Sequence, residues 1–368
     1  PNAREEREQT ALMWAAAEGH AAVTHALLEV GADMHARLKS GFTPMFFAVR
    51  EGHIDVMFTL LEAGADVHEL LQRVKDGPDR AVNNASYRPV DDGISPLLMA
   101  VRNGHFELAV ALVNAGADPN DQHSGFTPLH TMSWVRKPDE SDRGDPAPIG
   151  SGNLTSLEFV RALVAMGADV NLRLEEGAPR QPNSASRLKS GGATPFLLAA
   201  DRADAALMHL LLELGADPFI PNLNHTTPLM AAAGLGTAAP EEEAGTEPEA
   251  LIATRLLLDL GADINAVNDA CDTAMHGAAY GSFPTVVQLL ADHGADIDIW
   301  NQKNEQGRTP LFIAEGHRGG LPRLSRATIE AITVLMDGAG VSTAGERPPI
   351  VDQYAPKLAE PPKTPQKP

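Results

Sequence analysis

Apolar positions recur along the chain as pairs of short amphipathic segments, each pair parted by a glycine-containing break and closed by Gly-Ala-Asp. In TPMFFAVREGHIDVMFTLLEAGAD, starting at Thr43, the first segment is MFFAVRE. The second, IDVMFTLLEAG, places Val56, Leu60 and Leu61 close to helical spacing. Thr43-Pro44 predicts a helix start, because a hydroxyl can cap free amides and proline costs nothing at the first helical position. Gly52-His53 breaks that helix, and Gly64 ends the second, since glycine accepts the left-handed conformation common at a helix C-terminus. Small Ala48 lets a neighbouring helix approach, and Ala15, Ala100, Ala199 and Ala232 stand in the same column.

The layout at Thr43 starts also at Thr10, 33 residues earlier, and again at Ser95, Thr127, Thr194, Thr227, Thr273 and Thr309. One such unit cannot bury its apolar face alone, so the eight units must be stabilised by stacking on one another. TPLHTMS at Thr127, TAMHGAA at Thr273, and Gly-Ala-Asp at Gly31, Gly64, Gly116, Gly167, Gly215, Gly261 and Gly294 resemble the ankyrin-repeat family. The resemblance implies an all-α solenoid of helix-turn-helix units with short β-hairpin links, over residues 1–345. The phrase KSGGATPFLLAA and the set of insertions are also similar to multi-repeat proteins of environmental bacteria. GVSTAG at Gly340 replaces the usual link, as a closing cap would. The proline-rich stretch 346–368 lacks the period and is expected to be extended or disordered. The opening PNAREEREQT matches the link at Pro119, which predicts that a repeat precedes this sequence.

Composition narrows the function. The net charge of −20 disfavours general attraction to nucleic acid or an anionic membrane. No apolar run approaches the ~18 residues of a membrane span. The lone Cys271 excludes an internal disulfide and any multi-cysteine metal site.

Four insertions interrupt the period. Two lengthen links after Gly-Ala-Asp, near 70–93 and 172–193, and extend the hairpin edge beside the concave surface; each is either functional or a disordered loop. Two others, near 135–153 and 234–249, lie between paired helices and are expected to project at the opposite end. Glu241, Glu242 and Glu243 read as a solvated acidic face or as a site for a basic partner. Carried over from the family column by column, the concave face holds Arg50, Glu51, Arg102, Asn103, Trp134, Asp201, Arg202 and Tyr280. The exposed link positions include Lys39, Phe42, His123, Phe126, Asn224 and Asp272. Tryptophan, tyrosine and arginine suit an interface, although Trp134 and Tyr280 could instead pack on the insertions. Trp14, Phe47, Met99 and Leu198, in a neighbouring column, read as framework.

The thirteen histidines follow the repeat rather than a ligand pattern: His20, His53 and His105 mark breaks, and His130 and His276 belong to helix openings. There an imidazole bonds local backbone more readily than a metal. No HExxH, paired CxxC or phosphate-cradling loop occurs, so neither a catalytic set, a cofactor nor a metal site is expected. Cys271 with His276 lacks the orienting group and oxyanion donors of a nucleophile pair. The leading reading is a non-catalytic scaffold, a monomer in isolation, that binds a protein or peptide in the groove and long links. The alternatives are an accessory or inhibitory subunit of a neighbouring enzyme, and a ligand or enzymatic site built by the two long links. The bacterial resemblance implies a periplasmic or secreted protein, with the cytoplasm as the alternative.

Overall fold

Each first helix begins where a hydroxyl faces the open amides of its own first turn. In the computed structural model, Thr10, Thr43, Ser95, Thr127, Thr194, Thr227 and Thr309 each accept a bond from the amide three residues on. The structure describes residues 1–72, 93–139, 146–182, 184–318 and 323–344. Most of the first long link and the stretch from 346 onward therefore lie outside the described residues.

The units supply helix pairs: α1 (Ala11–Ala17) with α2 (Ala21–Glu29), α3 (Pro44–Glu51) with α4 (Ile54–Glu62), and α5 (Pro96–Arg102) with α6 (Phe106–Asn114). Next come α7 (Pro128–Arg136) with α8 (Ser156–Ala165), and α9 (Pro195–Asp201) with α10 (Ala205–Glu213). Then follow α11 (Pro228–Ala232) with α12 (Glu247–Asp259), and α13 (Ala274–Gly281) with α14 (Pro284–Asp292). A single-turn helix, α15 (Ile297–Trp300), precedes the last pair, α16 (Pro310–Ala314) and α17 (Arg326–Gly338). The first helices stack in sequence order, α1 on α3 through to α13 on α16. None of the helices among the described residues is long and apolar enough to cross a membrane.

In six of the second helices, α4, α6, α8, α10, α12 and α14, a leucine at the same repeat position closes the core: Leu60, Leu112, Leu163, Leu211, Leu257 and Leu290 are all buried. The alanine column, Ala15, Ala48, Ala100, Ala199 and Ala232, is buried as well. Phe47, Met99 and Leu198 join that framework, but Trp14 is 48% exposed. It lies on α1, the first helix of the described residues.

The links depart from the expected hairpins. Among the described residues no strand ladder forms, and the one bridge joins Arg4 to Thr10. The links are instead turns held by side chains. The aspartate of Gly-Ala-Asp accepts from the amide two residues on, as Asp66 does from His68 and Asp169 from Asn171. Asparagine then joins neighbouring units. Asn120 donates to Gly167 O at 2.9 Å and accepts from Asp169 N at 2.8 Å, and Asn171 repeats both bonds to Gly215 and Asp217. The tip of each turn needs positive φ. Gly41 and Gly125 supply it freely, while Cys271 and His225 adopt φ of 60° and 56° in the corresponding places.

The histidines tie one unit to another. His53 Nε2 donates to Ala17 O and His105 Nε2 to Arg50 O, each at 2.9 Å across a repeat boundary. At the helix openings, Thr127 and Thr273 bond the Nδ1 atoms of His130 and His276, whose Nε2 atoms reach Ala193 O and Gln302 O. The bonds to Ala17 and Arg50 are thus to the preceding unit's backbone, and those to Ala193 and Gln302 to the link that leads into the next unit, 63 and 26 residues on, rather than local. Burial lowers the pKa of His130 and His276 to about 4, so both are neutral.

Because every unit is closed by its neighbours, a central leucine carries more than its own helix. Leu211→Ala or Leu257→Ala should lower the free energy of unfolding by ~2–5 kcal/mol, measured by denaturant titration. Wild-type midpoints for both variants would contradict this packing.

Candidate functional site

The link 172–193 is pinned at its base by Leu174, whose amide bonds Ala193 O and whose carbonyl accepts from Gly192 N. From there it runs the length of α9 and reaches that helix's far end. Gln181 Nε2 donates to Asp201 Oδ2 at 3.0 Å, Ser186 Oγ to Asp201 Oδ1 at 3.2 Å, and Arg187 N to Gly236 O at 2.7 Å. Two insertions from other units meet it there. Asp139, from the 135–153 insertion, accepts from Ala185 N and from Ala244 N of the 234–249 insertion.

Arg202 sits at the centre, with 2% of its surface exposed. Its Nε and Nη2 bond Gln181 Oε1 at 3.1 and 3.0 Å, and its Nη1 bonds Lys137 O and Asp139 Oδ1 at 2.9 and 2.6 Å. Desolvation of that guanidinium is offset because acceptors from two segments, the 172–193 link and the 135–153 insertion, face it. Beside it Arg136 forks onto Asp204 with bonds of 2.8 and 3.2 Å.

This junction corrects two expectations. Arg202 and Asp201 occupy the groove column of their helix, but the link covers them, so neither presents its charge as a free surface. The 234–249 insertion does leave from the opposite helix end, yet it returns to the link instead of projecting alone. Its acidic run divides accordingly. Glu241 and Glu242 stay exposed near Arg323, at 3.7 and 3.8 Å, while Glu243 turns inward to accept from Ala238 N and Ala239 N.

Three carboxylates, Asp139, Asp201 and Glu243, are close enough here to act on one another, with the buried guanidinium of Arg202 beside Asp139 and Asp201 and that of Arg318 near Glu243. Burial raises the pKa of Asp201 to about 6 and that of Glu243 to about 7, aided by Asp139 in the first case and by Asp201 and Asp139 in the second. Burial of the guanidinium of Arg318 lowers its pKa to about 10. That side chain bonds Tyr280 O and, at 3.4 Å, Thr237 O, fastening the 234–249 insertion to the last unit.

The fastened segments form one wall of a cleft of about 560 Å³. Arg187, Leu188 and Lys189 line it from the link, and Leu235, Gly236 and Thr237 from the insertion. Turns of the last three links, with Asn224, Asp269, Asp272, Gln306 and Arg308, make the opposite side. Tyr280 lies against it at 8% exposure. Buried asparagines hold those turns. Asn222, Asn268 and Asn304 each accept two amides of their own turn, and their Nδ2 atoms reach Lys189 O, Thr226 Oγ1 and Asp272 Oδ1 at 2.8–3.1 Å. A second hollow of about 600 Å³ shares Arg187, Leu188, Lys189 and Asn224 with the first and adds Arg180 and Glu176. No group of three or more histidine, cysteine, aspartate or glutamate side chains suited to a metal ion occurs among the described residues.

Apart from Tyr280, Asn224 and Asp272, the sequence-chosen positions lie away from this cleft. Arg50 is exposed, bonds Glu51 at 2.7 Å and stands 5.2 and 5.4 Å from the ring centres of Phe42 and Phe47. Arg102 and Asn103 are half-buried, and Asn103 Nδ2 returns to Met99 O at 2.8 Å. Trp134 is half-buried edge-on to Phe126 at 4.9 Å, and Phe126 itself is buried, not exposed. Lys39 and His123 are exposed, with His123 bonded to Asp121. Asp272, read as exposed, is buried with its carboxylate on Asn304.

Sequence reasoning passed over Arg187, Lys189, Gln306 and Arg308. The signal for Lys189 was present: RLKSG at Arg187 repeats RLKSG at Arg37, whose lysine was chosen. Arg308 shares the position before Thr that drew attention to Phe42 and Phe126.

The inward turn of Glu243 makes the junction pH-dependent. A carboxyl whose folded pKa exceeds its unfolded value of about 4.3 adds stability at low pH and loses it as pH rises through the folded value, here about 7. His130 and His276 act oppositely, losing their contribution as pH falls from about 6.5 towards 4, so the wild-type profile mixes both. A difference isolates the acid. Glu243→Gln should gain about 1–2 kcal/mol relative to wild type between pH 5 and about 7.5, measured by denaturant titration. A difference that stays flat over that range would contradict the buried acid.

The model describing ankyrin repeats in three copies matches residues 1–70 and 248–331, and the single ankyrin-repeat model matches 92–124. Ankyrin repeat and SOCS box protein 16 of Mus musculus is 28% identical over 239 residues, which is 60% of this chain and 47% of that protein. E3 ubiquitin-protein ligase KEG of Arabidopsis thaliana is 25% identical over 348 residues, 87% of this chain and 19% of that protein. Ankyrin repeat and KH domain-containing protein mask-1 of Caenorhabditis elegans is 27% identical, over 61% of this chain and 8% of that protein. The chain thus spans less than half the length of each of these relatives. They are animal and plant proteins, so the narrower bacterial resemblance gains nothing from them. With capped helix pairs stacked through a shared core and family models matching both halves, the chain belongs to the ankyrin-repeat family, whose repeats are in general protein-interaction modules rather than catalysts.

Proposed function

We propose that this protein is a non-catalytic binding scaffold that receives an extended segment of a partner protein in the cleft beside Tyr280. The carrying observation is the build of that cleft: a hollow of about 560 Å³ whose turns and insertions are each hydrogen-bonded to a neighbour. A site held in this way loses little entropy on binding, and that favours affinity. Tyr280 offers a flat aromatic surface with a polar edge, the type of side chain that anchors interfaces. Leu188 and Leu235 add apolar surface, while asparagine and arginine at the rim can meet a peptide backbone.

The surface extends towards the N-terminus in the same reading. Arg50, Glu51, Arg102, Asn103 and Trp134, with Lys39, Phe42 and His123 on the link tips, would contact further parts of a partner. The junction around Arg202 supports the site from behind, so its acids serve the shape of the wall and not a reaction. A relative named as an E3 ubiquitin-protein ligase favours a second form of the reading, in which the array presents a bound protein to a catalytic neighbour.

Panning a random peptide library on the wild type and on Tyr280→Ala tests the site. Sequences enriched on the wild type should share a motif and bind the variant about tenfold or more weakly. A motif retained equally by both proteins would place binding elsewhere, and an absence of any shared motif would remove the peptide-binding reading.

A further inference from the structure

In a chain with 49 acidic and 29 basic residues, a surface cation ordinarily finds a carboxylate close by. The pairs Arg136–Asp204, Lys137–Glu249 and Arg161–Glu213 follow that rule. The cleft reverses it. Of the acids that line it, two are engaged: Asp269 holds His225 Nδ1 at 2.7 Å, and buried Asp272 accepts from Asn304 Nδ2 at 2.8 Å, which leaves Glu305. Of the cations that line it, Lys189 and Arg308 form no ion pair among the described residues, although the charge of Arg308 is near enough to favour the ionised form of Asp272. The nearest bonds of Arg308 are weak ones of 3.5 Å, to Tyr280 Oη and Gln306 Oε1.

The positive edge continues past Lys189 into the second hollow. There Arg180 bonds a neutral acceptor, Ser186 O at 2.7 Å, and Arg187 reaches Arg318 O at 3.4 Å. Glu176 is the single acid among the described residues lining that hollow, and Glu305 stands on the far side of the first. Between the cations lie the apolar side chains of Leu188 and Leu235, with Tyr280 beneath.

We infer that the occupant of this cleft is an acidic segment of a partner protein, with carboxylates over Lys189 and Arg308 and an apolar or aromatic side chain against Tyr280. The inference rests on the peptide-binding reading above and adds the chemistry of the ligand. Among the described residues Lys189 and Arg308 hydrogen-bond no carboxylate, so a ligand acid displaces no existing ion-pair bond when it arrives. The surplus acid elsewhere on the chain repels the same segment, which confines it to this edge.

The test uses two labelled peptides of about twelve residues, one alternating glutamate with leucine and tyrosine, the other with lysine in place of glutamate, followed by fluorescence anisotropy. The acidic peptide should bind about tenfold or more tightly than the basic one, with affinity falling as salt rises. Lys189→Glu with Arg308→Glu should abolish that preference. Arg161→Glu with Arg255→Glu, the same charge change on exposed outer-helix positions, should leave it within about twofold. Circular dichroism of each variant establishes that the helices persist. Equal binding of the two peptides, no binding of either, or a cleft variant that behaves like the outer-helix variant overturns the inference. If Tyr280→Ala weakens both peptides while the charge reversals change neither, the acidic specificity fails and the peptide-binding reading stands. If Tyr280→Ala also changes nothing, both fall.

Discussion

A guanidinium with 2% of its surface exposed has to find nearly all its hydrogen-bond acceptors inside the protein, and Arg202 finds them on segments that the repeat alone would not bring together. Gln181 comes from a link, and Asp139 and Lys137 O from an insertion within the preceding unit. Ala244 of another insertion then bonds the same aspartate that Arg202 holds. Removing one partner would strand a buried charge, so the segments are held as a set. This constraint turns three loops into one wall.

The wall matters because ankyrin units by themselves give a shallow, open face. Covering α9 with the link closes part of that face and leaves the cleft beyond it, bordered by Arg187, Leu188 and Lys189. The opposite side is fixed by a different device, the buried asparagines that bond both their own turn and the next. Rigid turns on one side and a junction-held wall on the other explain how surface loops can carry a defined hollow. Asp201 and Glu243 belong to the same crowded junction: burial holds both closer to the neutral form, and the neighbouring charge of Asp139 adds to the effect.

Most of the repeat frame was legible in the sequence because its causes are local and written several times. Thr-Pro openings, the alanine column and the leucines of the second helices each depend on residues within a few positions or in the adjacent unit. The aspartate of Gly-Ala-Asp was legible as a turn, though the strands expected around it do not form among the described residues. The site was less legible. Asp139 and Arg202 are 63 residues apart, and Ala244 lies 105 residues from Asp139, with no periodic pattern linking them. Repeat register placed Arg202 correctly on its helix but could not show that an insertion lies over it. Tyr280 was found by column, whereas Lys189 was missed although its neighbours repeat those of Lys39.

Hydrogen exchange followed by mass spectrometry, comparing wild type with Asp139→Asn, tests the convergence of the three segments most directly. The account predicts faster exchange in 181–188 and 236–246 together, since Ala185, Arg187 and Ala244 donate their amides within one junction, while α3, α5 and α13 keep wild-type protection. Faster exchange confined to the residues around 139, with both distant segments unchanged, would show that the loops are ordered independently and would contradict it.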